Sequence, residues 1–324
     1  MRNLWDEGEA MQARSELDRR VYSSRLIGSD PALVLHGGGN TSLKGIITDR
    51  FGDAHDAIWV KASGFDLGTM GIEGFTALHL APVLRLAELE RLSDTDMVSE
   101  LKRARFDPSA AAASIEAIVH ALIPFRYVDH SHADGVLTLA NGGGRAMLER
   151  VYGERALILP YVKPGFDLAR QIRAALLEHD LASFEAILLE HHGVLTWGAS
   201  AKESYDRMIS ICAEAEAWLA AHVELPVAAS ASIADPVAIA RLRGAVGGLA
   251  GRALISLPAT TLPADEIAGV ADRALHGTLT PEHVIHNKPF PAVVGDDPLP
   301  GLQSFAEAYE AYVARAANPQ LVPL

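Results

Sequence analysis

The spacing of apolar and polar positions predicts alternating helices and strands over the first two thirds of the chain. Helical spacing of apolar residues occurs over 5–26, 74–92, 109–122, 167–179 and 202–221. Shorter apolar runs predict strands at 46–48, 57–60, 127–140 and 186–197. The first two of these runs flank a polar turn, which is typical of a hairpin. Alternation of this kind predicts an α/β core.

The pattern changes after residue 224. Residues 225–230 have the composition of a linker, and helical patterns follow near 236–250, 263–275 and 302–315 with proline-rich loops between them. We therefore predict an α/β domain over residues 1–223 and a helical C-terminal extension over residues 224–324.

The composition, net charge and cysteine count exclude several classes of partner and of metal site. The chain is 49% hydrophobic and 21% charged, as in ordinary folded proteins. Its net charge of −13 argues against partners rich in phosphate, so neither nucleic acid nor an anionic membrane surface is expected. Cys212 is the single cysteine, which excludes an intramolecular disulfide and a thiolate zinc cage. Without a signal-like or bilayer-spanning apolar run, we expect a cytoplasmic protein acting on a small molecule.

Three histidines form a candidate metal site. His130 and His132 stand two residues apart in a predicted strand, so both imidazoles lie on one face and can chelate a single ion. His192 follows an apolar run and precedes Gly193, where a third ligand can sit at a strand end. Three protein ligands leave an open coordination position, which is typical of catalytic sites. The alternative is a chance spacing, because the chain has 13 histidines.

A glycine-rich loop over residues 37–42 is a candidate anion site. It lacks the Gly-Lys-Ser/Thr ending of a nucleotide loop and the spacing of a dinucleotide fingerprint. The backbone N–H groups around Gly39, together with Asn40, Thr41 and Ser42, could hold a phosphate or a carboxylate. The alternative is a plain tight turn.

Five short motifs follow one another in order along the chain. They are Gly37-Gly38-Gly39-Asn40-Thr41-Ser42, Lys61-Ala62-Ser63-Gly64, Ser114-Ile115-Glu116, His130-Ser131-His132, and His192-Gly193 with Gly198. The set resembles that of the class II aldolase/adducin family over about residues 20–222. Within that family, the chain looks most similar to the aldolase part of bifunctional rhamnulose-1-phosphate aldolase/alcohol dehydrogenase proteins. The residues after 224 look like the connecting region of those proteins.

This resemblance implies a three-layer α/β/α domain with a central, largely antiparallel or mixed sheet. It makes His130, His132 and His192 the ligands of Zn²⁺, or of Mn²⁺ or another divalent ion. It makes Glu116 the catalytic base and Tyr161 a proton donor supplied to a neighbouring subunit. A homo-oligomer is therefore implied, with a tetramer favoured.

The resemblance also implies a phosphate-binding group. Asn40, Ser63, Gly64 and Ser114 match positions that grip the substrate phosphate in sugar-phosphate aldolases. Ile115 stands where fuculose-phosphate aldolases carry a second serine. This departure weakens the predicted phosphate site, so the substrate is either a sugar phosphate or a related sugar derivative such as a sugar acid.

The implied activity is that of an aldehyde-lyase, reversible retro-aldol cleavage through a metal-stabilised enediolate. Partial burial beside the ion is expected to raise the pKa of Glu116 toward the working pH. The alternative is the same enolate chemistry ending in decarboxylation, dehydration or epimerisation. A non-catalytic, adducin-like interaction module is a third hypothesis.

We interpret the polar, proline-bounded segment 280–289 as a solvated loop whose charged groups could cap the active site.

Overall fold

The computed structural model describes residues 1–224, 235–255, 273, 275–295 and 297–316. The chain divides into two compact units. Unit 1 contains residues 1–223 together with residues 279–282, and unit 2 contains residues 224–278 and 283–324.

Unit 1 is built on one seven-stranded sheet. Its strands are β1 (Asn40–Thr48), β2 (Ala54–Lys61), β3 (Phe75–His79), β4 (Tyr127–Ser131), β5 (Ala156–Leu159), β6 (Ala186–Leu189) and β7 (Gly193–Gly198). The strand order is β3-β2-β1-β4-β7-β6-β5. All neighbouring strands are antiparallel except β5 and β6, which are parallel. The sheet is therefore mixed, and β4 lies at its centre between β1 and β7.

Eight helices belong to the described part of residues 1–223. They are α1 (Glu7–Ala10), α2 (Glu16–Gly28), α3 (Leu80–Leu86), α4 (Asp94–Arg103), α5 (Ala117–Leu122), α6 (Asp134–Tyr152), α7 (Phe166–Glu178) and α8 (Ala201–His222). Helices α2, α6 and α8 cover one face of the sheet. Helices α3, α5 and α7 cover the other, with α4 packed on α3. Two apolar cores result, one on each face, and the predicted three-layer α/β/α fold is confirmed.

Three predicted helices need correction, and a fourth helix was missed. The helix predicted over 5–26 is two helices, because Asp6 and Ser15 each cap a new N-terminus with a side-chain oxygen. The helix predicted over 74–92 begins as strand β3 and becomes helical only at Leu80. The helix predicted over 109–122 is helical only from Ala117 onward. Helix α4 was not predicted.

Two predicted strands are also shorter than expected. The strand predicted over 127–140 ends at Ser131, and α6 begins at Asp134. The strand predicted over 186–197 is a hairpin, β6 and β7, with its turn at 190–192. This turn brings His192 back toward β4, which a single long strand could not do.

Unit 2 is helical in the residues described. Its helices are α9 (Pro236–Ala250), α10 (Pro281–His286) and α11 (Pro298–Ala316), and α10 begins in the last residues of unit 1. Helix α9 packs against α11. The helical patterns near 236–250 and 302–315 are confirmed, whereas the helix predicted over 263–275 lies almost wholly outside the described residues. Among the helices described, none combines the length and apolar character needed to cross a bilayer.

Candidate metal centre

The central strand β4 positions the first two histidines. His130 is fully buried near the end of β4, directly opposite Asn40 on β1 and Leu195 on β7. His132 follows just beyond the strand, and its backbone N–H donates to the carbonyl of Leu33 at 3.1 Å. The two residues retain the strand's two-residue alternation, so their rings lie on the same side of the backbone.

The turn between β6 and β7 positions the third histidine. His192 is 3% exposed, and its backbone N–H donates to the Leu189 carbonyl at 3.1 Å. Gly193 makes the approach to β4 possible, because a Cβ there would lie 2.2 Å from the carbonyl oxygen of Ser131. His191, with a φ of 57°, turns outward and bonds to Asn141 at 2.6 Å.

The three buried imidazoles converge. One ring nitrogen from each of His130, His132 and His192 lies within 4.8 Å of the others. The Nε2 atoms of His130 and His132 are 3.0 Å apart. These three side chains could hold a single divalent ion.

The hydrogen bonds made by the Nδ1 atoms of His130 and His132 show whether their Nε2 atoms are suited to bind a metal ion. His130 Nδ1 lies 2.9 Å from the Val194 carbonyl oxygen, and His132 Nδ1 contacts a carboxylate oxygen of Glu282. Both partners only accept, so each Nδ1 carries the hydrogen. This leaves the two Nε2 atoms facing each other across 3.0 Å, where both can act as ligands. The donor set therefore fits a metal ion.

Glu116 faces the converging nitrogens from the N-terminus of α5. Its carboxylate oxygens lie 3.3 Å from His192 Nε2 and 3.6 Å from His130 Nε2. Burial raises the pKa of this carboxyl, but the positive charge that His130 and His192 carry when protonated, together with the Asn40 amide, outweighs burial and lowers the pKa to about 2. The expected rise in the pKa of Glu116 is therefore wrong in direction. The carboxyl is ionised at neutral pH and can accept a proton.

A chain of hydrogen bonds from β1 holds the Glu116 carboxylate. Asn40 donates from Nδ2 to Glu116 at 2.6 Å and to the Ser114 hydroxyl at 3.2 Å. His120 Nε2 donates to the Asn40 carbonyl oxygen, and His120 Nδ1 lies 2.8 Å from the Ser42 hydroxyl. Burial lowers the pKa of His120 to about 3, so its ring is neutral and able to accept from Ser42.

Three of the predicted phosphate-binding residues lie on two adjoining segments. A bridge between Ala62 and Ala113 joins these segments. Ser63 N–H donates to the Ala112 carbonyl at 2.7 Å, which places Ser63 and Gly64 beside the segment that carries Ser114. Ser63 and Gly64 are exposed, and Ser114 is half-buried. Asn40 connects this group to Glu116.

Thr41 does not join the group. It alternates with Asn40 along β1, so its side chain lies on the opposite face of the sheet, where its hydroxyl bonds to that of Ser24 at 2.8 Å. The Thr41 hydroxyl is therefore directed away from Asn40 and Glu116. Gly39 has a φ of 57°, and a Cβ there would lie 2.7 Å from the His130 carbonyl oxygen. This glycine permits the close approach of the loop to β4.

Tyr161 is an exposed residue beside His191. It is 53% exposed, and its ring centroid is 6.4 Å from that of His191. Within the described ranges, no hydrogen bond links Tyr161 to Glu116 or to the three converging histidines.

Sequence reasoning missed two charged residues beside the site. Lys61 is 3% exposed and donates from Nζ to the Gly37 carbonyl at 2.9 Å. Burial lowers the pKa of Lys61 to about 8, although Asp66, Glu116 and Glu282 oppose the shift. Glu282 is 3% exposed and Thr280 is 2% exposed, so the solvated-loop interpretation is wrong for these two residues. The motif around Lys61 was a usable signal, whereas no local pattern marked Glu282.

The family described as the class II aldolase and adducin N-terminal domain matches residues 19–219. The solved N-terminal class II aldolase domain of a conserved protein from Thermoplasma acidophilum is 39% identical, with a TM-score of 0.62. That similarity covers 68% of this chain and 99% of the archaeal domain.

A longer relative matches nearly the whole chain. YuxG of Bacillus subtilis, described as an uncharacterized oxidoreductase, is 30% identical over 341 residues. The similarity covers 97% of this chain and 49% of YuxG. The chain therefore spans about half the length of this relative.

Proposed function

The chain belongs to the class II aldolase and adducin family, and on that premise we propose that it is a metal-dependent aldehyde-lyase. It catalyses reversible retro-aldol cleavage of a sugar phosphate or a related sugar derivative. The observation that carries the proposal is the convergence of His130, His132 and His192 on one point faced by the Glu116 carboxylate. Residues 1–223 form the catalytic domain, and residues 224–324 form a C-terminal extension.

Glu116 is the base in this proposal. Its carboxylate is buried, ionised and held by the Asn40 amide at 2.6 Å, so it is oriented before substrate arrives. It removes a proton from a substrate carbon or hydroxyl placed against the three histidines. A divalent ion bound there supplies a Lewis acid that stabilises the negative charge developing on substrate oxygens.

We assign zinc as the preferred metal. Three neutral imidazole nitrogens suit Zn²⁺, and a three-ligand set leaves a position open for substrate. Mn²⁺ or another divalent ion is the alternative. Elemental analysis of the purified protein, followed by reconstitution of the metal-free protein with each ion, distinguishes them.

The substrate anion is held by the segments around Ser63, Gly64 and Ser114. The Ser63 and Ser114 hydroxyls and the Gly64 N–H are the groups that would bind a phosphate or carboxylate, while Asn40 joins Ser114 to Glu116. Ile115 is 42% exposed and offers no hydrogen bond where a serine would. A carboxylated or unphosphorylated sugar therefore remains within the proposed substrate class.

Tyr161 acts in the site of a neighbouring subunit in this proposal. Its exposure and its lack of a hydrogen bond to Glu116, among the residues described, are consistent with such a role. The enzyme is then a symmetric homo-oligomer, with a tetramer favoured, in which each site takes one residue from the next subunit.

The deciding experiment assays the metal-loaded protein against ketose 1-phosphates and their unphosphorylated forms. Cleavage to an aldehyde and a three-carbon ketone is the expected result. A single product of unchanged carbon number would indicate epimerisation or dehydration, and release of CO₂ would indicate decarboxylation. Full metal occupancy without turnover of any sugar or sugar acid would favour an adducin-like interaction module.

A further inference from the structure

Residues 279–282 lie in the same compact unit as the metal centre, although they follow it in the chain by about 90 residues or more. The side-chain amide of Asn141 on α6 donates to the Leu279 carbonyl at 3.2 Å. Thr280 and Glu282 are 2% and 3% exposed. The segment is therefore packed into unit 1, and Glu282 is its charged residue.

The Glu282 carboxylate contacts His132 on the side of the ring away from the converging nitrogens. Its Oε1 accepts from His132 Nδ1, whereas His132 Nε2 faces His130 Nε2 at 3.0 Å. In this arrangement Glu282 is therefore not a metal ligand. It occupies the position from which a carboxylate orients a metal-binding imidazole.

The glycine loop leaves room for this carboxylate. A Cβ on Gly38 would lie 1.5 Å from Glu282 Oε1 and 2.4 Å from Glu282 Cδ, so any larger residue displaces the carboxylate. The φ of Gly38 is outside the left-handed region, unlike those of Gly37 and Gly39. A glycine is therefore needed at position 38 because a side chain there would clash with Glu282. At Gly37 and Gly39 the reason is different, because their positive φ angles favour glycine.

We propose that Glu282 is a positioning residue of the metal centre, which fixes the tautomer and orientation of His132 through its Nδ1–H and thereby raises the affinity for the divalent ion. The inference rests on the proposed metal site. It adds that a residue from the C-terminal part of the chain, Glu282, supports that site. A carboxylate makes the imidazole a better electron donor than a neutral acceptor does, because its negative charge stabilises the ring when Nε2 gives its lone pair to a cation. His130 has a carbonyl in the equivalent position, so His132 is the ligand with the charged partner.

The test measures metal affinity in the full-length protein, by competition with a chromophoric chelator for Zn²⁺ and by the visible spectrum of the Co²⁺ form. Glu282→Ala is expected to weaken Zn²⁺ binding by about 10- to 100-fold and to change the Co²⁺ spectrum. Glu282→Gln keeps the shape and an accepting oxygen but lacks the charge, so its affinity should lie between wild type and Glu282→Ala. Glu282→Asp should restore part of the loss.

Gly38→Ala perturbs the same contact without touching the carboxylate itself. It should lower metal affinity in the same direction as Glu282→Ala, and the double variant should be little worse than either single one. Two matched controls should bind Zn²⁺ as wild type does. Ile285→Ala lies on the same short helix at 66% exposure, and Gly244→Ala lies where a Cβ meets nothing within 4 Å.

Wild-type metal affinity and an unchanged Co²⁺ spectrum in Glu282→Ala would overturn the inference. So would equal losses in Ile285→Ala, or a loss in Glu282→Ala that Glu282→Asp and Glu282→Gln do not moderate. Failure of the proposed function looks different, because the wild-type protein would then bind no divalent ion or would bind it without turning over any substrate.

Discussion

The side-chain amide of Asn40 donates a hydrogen bond to the carboxylate of Glu116 at 2.6 Å, from a strand 76 residues earlier in the chain. Asn40 is held in turn by His120, one turn further along the helix that Glu116 begins. The carboxylate is thus fixed from two elements, β1 and α5. Asn40 also lies directly opposite His130 in the sheet, so the same residue sets the position of the Glu116 carboxylate relative to His130.

The first prediction concerns the charge on Glu116. Glu116→Gln should fold normally and keep its metal, because the glutamine oxygen can still accept from Asn40 and the three histidines are unchanged. Turnover should fall by about 100-fold or more, as expected when a general base is removed. Steady-state kinetics and metal content measured on the same preparation check this. Near wild-type turnover with full metal would assign the base to another residue.

The second prediction concerns removal of the metal. A ligand that binds only the folded state stabilises it by about 2.7 kcal/mol when its free concentration is 100 times Kd. For a domain of this size, that corresponds to a rise in Tm of roughly 5–10 °C, which a chelator should reverse. Differential scanning calorimetry with and without Zn²⁺ measures the increment.

Two neighbouring histidines provide the control for this measurement. His192→Ala should abolish the metal-dependent rise in Tm, whereas His191→Ala should keep it, since His191 turns outward to Asn141. The comparison uses only the increment, so any effect of either substitution on the metal-free protein cancels. Equal increments in both variants would remove His192 from the site.

The third prediction concerns a buried ion pair beneath the site. Arg20 on α2 and Asp129 on β4 are both fully buried, with an N–O distance of 2.6 Å. Arg20→Ala leaves the Asp129 carboxylate buried without its counter-charge, so the free energy of unfolding should fall by about 3–5 kcal/mol. Urea denaturation measures the change. A double variant, Arg20→Met with Asp129→Leu, should recover much of the loss because no charge then remains.

A small effect of Arg20→Ala, below about 1 kcal/mol, would mean that Asp129 takes up a proton, which the burial that raises its pKa favours, or that water or another cation reaches it. Asp129 alternates with His130 on β4 and lies on the opposite face of the sheet. The pair therefore holds the strand that carries His130 from the face opposite to the His130 ring.

The sequence was sufficient where the arrangement of the candidate site depends on local spacing. His130 and His132 are two residues apart, so strand geometry alone places them on one face. Gly193 was visible beside His192, and the structure shows why a larger residue would not fit there. The helices at 167–179 and 202–221 were also predictable, since each has a continuous apolar stripe at helical spacing.

Other features depend on contacts that no local pattern encodes. Phe75 and Leu78 in β3 are three residues apart, so the same apolar positions satisfy a helical period and hide a short strand. Helix α6 contains Gly142, Gly143 and Gly144, a run that indicates a loop, and Gly144 does depart from helical geometry. Glu282 meets His132 across 150 residues, so only the folded chain reveals it.

The last prediction concerns Tyr161 and assembly. If Tyr161 serves a neighbour's site, Tyr161→Phe and Glu116→Gln should each be nearly inactive alone. Mixed oligomers of the two variants should regain activity, because some sites then receive a native Glu116 from one subunit and a native Tyr161 from the next. With free subunit exchange in an equal mixture, about one quarter of the sites carry both native residues.

Rate assays of the mixture, with subunit exchange verified by mass spectrometry of tagged chains, measure this recovery. The control mixes Glu116→Gln with Asn40→Ala, two changes that lie at 2.6 Å from each other within one chain. A site that takes Asn40 and Glu116 from the same subunit cannot be restored by mixing, so this pair should stay inactive. Demonstrated exchange without recovery in the Tyr161 mixture, or an active monomer in solution, would reject the shared site. Tyr161 would then be a surface residue that packs beside His191.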